Sequence, residues 1–227
     1  MNALRLGVLY PPGFGEQEYY ELAEQLSPEI RVFVVLHTWL GGGHQVDDML
    51  EIAQPDRLAE TCRKLVNLNV DSVTWACTSA SFIGGREFAQ RQQDAMRRTL
   101  HCPATSTSLS FIEALDAMQV ANVALMAMTY PEEVVRHFAD FLGENGVRVR
   151  NSLSKEQGLG TEHGWTVPAE AVMDYIEQVN AEDVQAILVP DTAIPTLAII
   201  DEIEARLDKP VLTANQVTFW GLLRAAG

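Results

Sequence analysis

The sequence predicts an α/β fold of two pseudo-symmetric lobes, each a short, mainly parallel sheet flanked by helices, with the candidate site in the interlobe cleft. Three observations predict this fold. Short apolar segments alternate with amphipathic segments along the chain, and the alternation restarts near its middle. In each half, a reactive polar residue directly follows an apolar run. Strands that alternate with helices at this spacing form parallel sheets covered on both faces.

The first half of the chain contains four predicted strands with helices between them. The strands are the apolar runs 4–9, 31–36, 72–76 and 103–105. Helices are predicted where apolar residues recur at helical spacing, namely at 16–26, 55–66, 88–100 and 110–118. The glycine loop Gly41-Gly42-Gly43-His44 is predicted to line or cover a site.

The second half repeats this order. The predicted strands are 122–128, 147–150, 184–189 and 210–213, and the predicted helices are 132–142, 168–179, 199–207 and 217–225. Gly143 or, preferably, Gly146 is the expected end signal of the first of these helices, because glycine tolerates the left-handed backbone that closes a helix. Residues 152–165 are predicted to form a polar loop.

The two halves share landmarks in the same order, which indicates an internal repeat. Tyr10-Pro11 and Tyr130-Pro131 each close a first strand, and Cys77 and Asp191 each follow a valine by seven positions. Two such halves predict two lobes, formed by residues 1–116 with 214–227 and by residues 117–213. Cys77 and Asp191 then approach a ligand from opposite sides. The alternative is that two unrelated α/β halves share this spacing by chance.

Composition and charge exclude several classes of protein. The chain has 227 residues and a net charge of −15, which argues against a nucleic-acid surface, since that needs a basic face. It contains no apolar run of the roughly 18 residues that span a membrane, and no signal peptide is recognised. Three irregularly spaced cysteines fit a reducing cytoplasm better than a disulfide framework. No cluster of cysteine and histidine suggests a metal site.

Several short motifs resemble the aspartate/glutamate racemase superfamily, and within it the branch of maleate cis-trans isomerases and arylmalonate decarboxylases. They are Cys77-Thr78-Ser79 with Ser81-Phe82, the Gly41-Gly42-Gly43 loop, Pro103-Ala104-Thr105-Ser106-Thr107, Thr129-Tyr130-Pro131 and Leu188-Val189-Pro190-Asp191-Thr192. The resemblance implies two α/β lobes with the active site between them, no cofactor, a small carboxylate substrate and a homo-oligomer. It also implies that maleate isomerases carry a second cysteine at the position of Asp191. Arylmalonate decarboxylases keep only that second cysteine. This chain has the first cysteine and a carboxylate in place of the second.

Cys77 is the predicted nucleophile or proton-transfer group. A position at a strand end beside a helix N-terminus can lower a thiol pKa and so make thiolate available. The alternative is a small buried core residue, which is common for cysteine.

A second set of residues is predicted to bind the substrate. Hydroxyl and backbone N–H groups of Thr78 and Ser79 can hold a carboxylate, although the same residues can cap a helix. The set comprises Thr78, Ser79, Tyr130, Thr192, Ala193, Tyr10 and Pro11. Strand-end packing is the alternative for both tyrosines.

Asp191 is the predicted counterpart of Cys77. A carboxylate at the end of an apolar strand is costly unless it is solvated or hydrogen-bonded, which favours a role as general acid, base or orienting group with a raised pKa. The alternative is an Asp-Thr turn or a helix cap.

The predicted function is a cofactor-independent isomerase of small (di)carboxylic acids that acts through a cleft cysteine. Decarboxylation is the first alternative, because a single acid suffices to protonate one face of a product. Racemisation ranks third, since it normally needs two matched bases. The rival interpretation from another class of protein is a carboxylate-binding protein that derives from such an enzyme.

Overall fold

The computed structural model of the chain describes residues 3–11, 15–38, 45–155 and 161–227. It contains eight strands in these ranges: β1 Leu4–Tyr10, β2 Ile30–Leu36, β3 Ser72–Trp75, β4 Ala104–Ser106, β5 Asn122–Ala127, β6 Arg148–Ser154, β7 Ala186–Val189 and β8 Val211–Thr213. Apolar and β-branched residues dominate most of these strands because both faces of a parallel sheet are covered.

Helices connect the strands throughout the described chain. They are α1 Gln17–Leu26, α2 Val46–Ile52, α3 Pro55–Cys62, α4 Ser79–Phe82, α5 Gly85–Leu100, α6 Thr107–Ala117, α7 Glu132–Glu144, α8 Ala169–Val179, α9 Ile200–Leu207 and α10 Ala214–Ala226. Two 3₁₀ segments lie at Arg63–Leu68 and Thr161–Thr166. None of these helices is both long and apolar enough to cross a membrane.

The eight strands form two four-stranded sheets with the same topology. The order is β2-β1-β3-β4 in the first sheet and β6-β5-β7-β8 in the second, and every pair is parallel. Each strand of the first half therefore has an equivalent in the second. The predicted α/β class, the parallel sheets and the internal repeat are confirmed.

Several element boundaries differ from the prediction. The helices α2 and α4 occupy segments for which no helix was predicted, and β6 runs four residues beyond its predicted end. The predicted helix 55–66 is α-helical only to Cys62 and continues as 3₁₀ turns. Gly146 has φ +81° just after α7, which is the left-handed backbone that the sequence predicted there.

The helices α6 and α10 pack directly against each other. A Cβ at Gly221 would lie 2.1 Å from the Ser110 Oγ atom, so this close approach requires glycine. The hydroxyls of Thr107 and Thr218 are 2.7 Å apart across the same interface. This contact joins the helix that follows β4 to the helix that follows β8.

Each of these two helices is buried with residues of the other half of the chain. Phe219 of α10 belongs to a buried cluster with Leu6 and Val8 of the first sheet. Phe111 of α6 belongs to a cluster that contains Leu125 of the second sheet. The two sheets therefore share their core, and the division into lobes at 1–116 with 214–227 and 117–213 stays a prediction.

Phe82 connects the segment that follows β3 to the second half of the chain. Its ring stacks on Phe138 of α7 with centroids 4.7 Å apart, and it lies 6.2 Å from the Tyr130 ring in an edge contact. Phe82 is 1% exposed. This packing fixes α4, and with it the residues just before α4, against the turn between β5 and α7.

Candidate active site

Cys77 and Asp191 occupy equivalent positions in the two sheets. Cys77 comes two residues after the end of β3, and Asp191 comes two residues after the end of β7. In the first sheet β3 lies between β1 and β4, and in the second sheet β7 lies between β5 and β8. Ligands of open parallel sheets bind outside the carboxyl ends of the strands, so both residues lie where a site is expected.

The Cys77 thiol is partly buried beside a hydroxyl. Its Sγ atom lies 3.8 Å from the Ser79 Oγ atom. Burial raises the pKa of the Cys77 thiol to about 11, and the backbone N–H of Ala80 and the Ser79 hydroxyl offset only part of this rise. The helix that follows has four residues, too few for a large dipole effect. The expectation of a lowered thiol pKa is therefore wrong, and this environment favours the neutral thiol at neutral pH.

Thr78 and Ser79 line the start of α4. Thr78 occupies the N-cap position, where its side chain makes no capping hydrogen bond, and its carbonyl accepts a hydrogen bond from the Ser81 hydroxyl at 2.9 Å. Both residues are buried, and their hydroxyls lie close enough to the Tyr130 phenol to lower its pKa, although the Thr78 hydroxyl makes no hydrogen bond within the described residues. The sequence-predicted binding residues Thr78, Ser79 and Tyr130 are thus brought together.

Tyr130 lies between the two halves of the site. Its hydroxyl donates to the Pro190 carbonyl at 2.9 Å, just before Asp191. Burial raises the pKa of Tyr130, and the nearby Asp191 and Cys77 groups raise it further. The phenol therefore stays protonated and within electrostatic reach of both predicted reactive residues. In this arrangement the Tyr130 hydroxyl already donates its hydrogen to the Pro190 carbonyl.

The Asp191 carboxylate is almost fully buried and holds the turn between β5 and α7. Its oxygens accept hydrogen bonds from the backbone N–H of Met128 at 3.0 Å and of Thr129 at 2.9 Å, and from the Thr129 hydroxyl. Burial raises the pKa of the Asp191 carboxyl, while these three donors lower it. The Asp191 carbonyl also accepts from the Ile194 N–H, so a local turn accompanies the long-range contact. Its use as an acid or base stays a prediction.

Tyr10 joins the end of β1 to the segment that follows β7. Its hydroxyl donates to the Thr192 carbonyl at 2.9 Å. Pro11 directly follows β1 and is half-buried, and Ala193 is buried beside Thr192. The structure therefore brings Tyr10 and Thr192 together from opposite halves of the chain, as their predicted roles at one cleft require.

Four residues near the site were not identified from the sequence: Gly15, Glu18, Thr129 and Asn215. A Cβ at Gly15 would lie 2.1 Å from the Thr192 carbonyl oxygen, so no larger residue fits there. Thr129 precedes Tyr130 and was the only one of the four inside a recognised motif. Glu18 gave no signal, because an acidic residue in the first turn of a helix is common.

The predicted Gly41-Gly42-Gly43-His44 loop lies outside the described residues. Within the described ranges, no three histidine, cysteine, aspartate or glutamate side chains lie close enough together to hold a metal ion. The candidate site is built from hydroxyls, a thiol, phenols and one engaged carboxylate. Such a set can bind an anion and deliver a proton.

The alkylation rate of Cys77 reports its pKa. We expect its rate constant with iodoacetamide to rise about tenfold per pH unit from about pH 7 to 9, because the thiolate fraction of a group with pKa about 11 grows in that proportion. Mass spectrometry separates Cys77 from the other free thiols, Cys62 and Cys102. A rate that levels off below about pH 8 would show a lowered pKa instead.

The chain is similar in sequence to one protein family model and to two known enzymes. A family model described as arylmalonate decarboxylase matches residues 47–227. Arylmalonate decarboxylase from Bordetella bronchiseptica is 29% identical over 174 residues, which cover 76% of this chain and 72% of that protein. Maleate isomerase from Alcaligenes faecalis is 22% identical over 184 residues, which cover 78% of this chain and 72% of that protein.

A solved structure of arylmalonate decarboxylase is similar over nearly the whole chain. It is a liganded form in which a glycine is replaced by cysteine and a cysteine by serine, with a TM-score of 0.87 and 26% identity over 99% of this chain and 93% of that one. The predicted resemblance to this branch is confirmed. The relatives include both a decarboxylase and an isomerase.

Proposed function

Since the chain belongs to the arylmalonate decarboxylase family, we propose that it is a cofactor-independent enzyme that decarboxylates a small dicarboxylic acid. In this proposal both carboxylates of the substrate are bonded to one carbon, and the Cys77 thiol protonates that carbon after carbon dioxide leaves. The product is a monocarboxylic acid.

The observation that carries the proposal is the pairing of a neutral thiol with an engaged carboxylate. Cys77 lies 3.8 Å from Ser79 and has a pKa of about 11, so it holds a proton to give. The Asp191 carboxylate accepts three hydrogen bonds from Met128 and Thr129. A decarboxylase needs one proton donor, whereas two-base racemisation needs two free groups.

The proposed reaction balances with one proton. The bond between the α-carbon and one carboxylate breaks, and its electron pair moves into the remaining carboxylate as an enediolate. The Cys77 proton is transferred to the α-carbon, which leaves a thiolate that regains a proton from solvent. Hydroxyl and N–H donors aimed at the remaining carboxylate stabilise the charge that builds up there.

Thr78 and Ser79 are proposed to bind that remaining carboxylate, with Tyr130 and Thr192 beside them. Asp191 is proposed to orient Thr129 and Tyr130 through the turn that it holds. Tyr10, Pro11 and Ala193 complete the wall of the cleft in this proposal. The three free cysteines fit a reducing cytoplasm as the compartment.

Cis-trans isomerisation of a small unsaturated dicarboxylate is the second candidate, and the similarity to maleate isomerase supports it. In that reaction the Cys77 thiolate adds to the double bond, rotation follows about the resulting single bond, and elimination restores the alkene. The carbon that does not bind sulfur takes up a proton and later releases it. Asp191 is the group that would supply it. The raised pKa of Cys77 makes thiolate scarce before substrate binds, which is why this candidate stands second.

One assay separates these candidates. The purified protein is incubated in D₂O with a panel of substituted malonates and with maleate, and carbon dioxide release, alkene geometry and deuterium content are measured. We expect carbon dioxide from a malonate and one deuterium at its α-carbon. Fumarate formed from maleate without carbon dioxide would favour the isomerase. Binding without turnover of any acid would favour a binding protein, and both of these results would overturn the proposal.

A further inference from the structure

Glu18 on α1 is a buried carboxylate outside the set of residues predicted to touch substrate. It is 5% exposed. Its Oε1 atom accepts hydrogen bonds from the backbone N–H groups of Thr196 and Leu197, both at 2.6 Å, and its Oε2 atom accepts from the Asn215 Nδ2 atom at 2.8 Å. Glu18 therefore ties α1 to the segment that follows β7 and to the first turn of α10.

Asn215 extends this link to the candidate site. Its Nδ2 group also donates to the Thr192 carbonyl at 3.1 Å, the same oxygen that accepts the Tyr10 hydroxyl. The Tyr19 hydroxyl donates to the Asn215 Oδ1 atom at 3.0 Å, which fixes the orientation of the amide. A continuous chain of hydrogen bonds thus runs from Glu18 through Asn215 to Thr192, directly after Asp191.

The chain of hydrogen bonds spans the two halves of the molecule. Glu18 and Tyr10 belong to the first half, and Thr192 and Thr196 belong to the second. Burial raises the pKa of the Glu18 carboxyl, and its three N–H donors offset only part of this desolvation cost. A rigid segment after β7 matters because the proposed substrate site lies between Cys77 and residues 190–193.

We propose that Glu18 is a positioning residue that sets the width of the cleft between Cys77 and residues 190–193, acting through Asn215 and the Thr192 carbonyl. It does so without touching substrate. The expected change in kcat rests on the proposed function. The expected change in the alkylation rate of Cys77 does not, because that rate is measured without turnover.

The test replaces Glu18 by glutamine. The amide keeps an acceptor for Thr196 and Leu197 but places its NH₂ group opposite the Asn215 NH₂ group, so two donors face each other. We expect Cys77 to react with iodoacetamide at least about five times faster at fixed pH, because residues 190–197 move away from it. The value of kcat is expected to fall about 10- to 100-fold, as for a misplacement of about 1 Å, with KM changed less than about threefold.

The matched control is Glu24→Gln on the exposed face of the same helix, which should leave both quantities unchanged. Asn215→Ser removes the same link without placing two NH₂ groups against each other. Should Glu18→Gln fail to fold, the alkylation rate and kcat are measured on Asn215→Ser instead. Alkylation of Cys77 and kcat within about twofold of the wild type in either variant would overturn the proposal. Should no acid in the panel turn over, the proposed function fails, while the alkylation ratio still decides the role of Glu18.

A double variant separates positioning from simple loss of stability. In Glu18→Gln with Asn215→Asp, the glutamine amide donates to the new carboxylate, so the link between α1 and α10 is restored. The new carboxylate cannot donate to the Thr192 carbonyl. We expect the melting temperature to recover while Cys77 alkylation stays fast and kcat stays at least about tenfold low. Recovery of all three quantities together would show a merely structural role for Glu18.

Discussion

Replacing Cys77 by alanine is expected to lower kcat at least about 10³-fold on the substrate that the wild-type protein turns over. The reason is that the thiol supplies the proton, or the nucleophile, for every reaction considered for this site. Alanine removes that group and keeps a small apolar side chain, so the fold should be retained. Steady-state kinetics with the substrate found in the panel assay, together with circular dichroism, measures both effects.

Cys102→Ala is the matched control for this prediction. Cys102 is a half-buried free thiol that precedes β4, outside the residues gathered at the candidate site. Its removal should change kcat less than about twofold. Turnover by Cys77→Ala within about tenfold of the wild type would rule out a chemical role for Cys77. The site would then need another proton donor.

Replacing Asp191 by alanine is expected to lower the free energy of unfolding by about 2–4 kcal/mol. The variant leaves the N–H groups of Met128 and Thr129 buried without their acceptors. Asp191→Asn keeps one acceptor oxygen and should lose about half as much. Urea denaturation monitored by tryptophan fluorescence measures the change in each variant.

Asp183→Ala provides the control, because this aspartate lies on the surface in an exposed ion pair with Arg150 at 2.6 Å. Such pairs contribute at most about 1 kcal/mol. Unfolding free energies of Asp191→Ala and Asp183→Ala that agree would refute the structural role of Asp191. The kinetics of Asp191→Asn decide its chemical role, because an asparagine can hold the turn but cannot transfer a proton. We expect this variant to keep at least about a tenth of wild-type kcat.

Most of the fold is predictable from the sequence because it depends on local patterns that occur twice. Apolar strands and landmarks such as Tyr10 and Tyr130 indicated the repeat, and the two identical strand orders confirm it. The starts of α6 and α10 were predicted three residues late. Serine and threonine around Ser106 favour turns as readily as helices, and the helices begin directly at the ends of β4 and β8.

The chemistry of the site was less accessible from the sequence. The position of Cys77 followed from the repeat, but the burial that raises its pKa depends on tertiary packing, which no local pattern reveals. Glu18 contacts residues almost 180 and more positions away, and no local pattern signals such partners. Likewise, the three donors to Asp191 come from the turn after β5, more than 60 residues earlier.

The packing of α10 on the first sheet has a consequence for synthesis of the protein. The first sheet is complete at Ser106, but α10, which covers Leu6 and Val8, begins only at Ala214. At about 5–20 residues per second, a ribosome needs on the order of 5–20 s to make the intervening chain. During that interval the nascent first sheet presents an uncovered apolar face. The protein therefore has a window of exposure to misassembly before its last helix emerges, and its native state is reached only when the end of α10 is available.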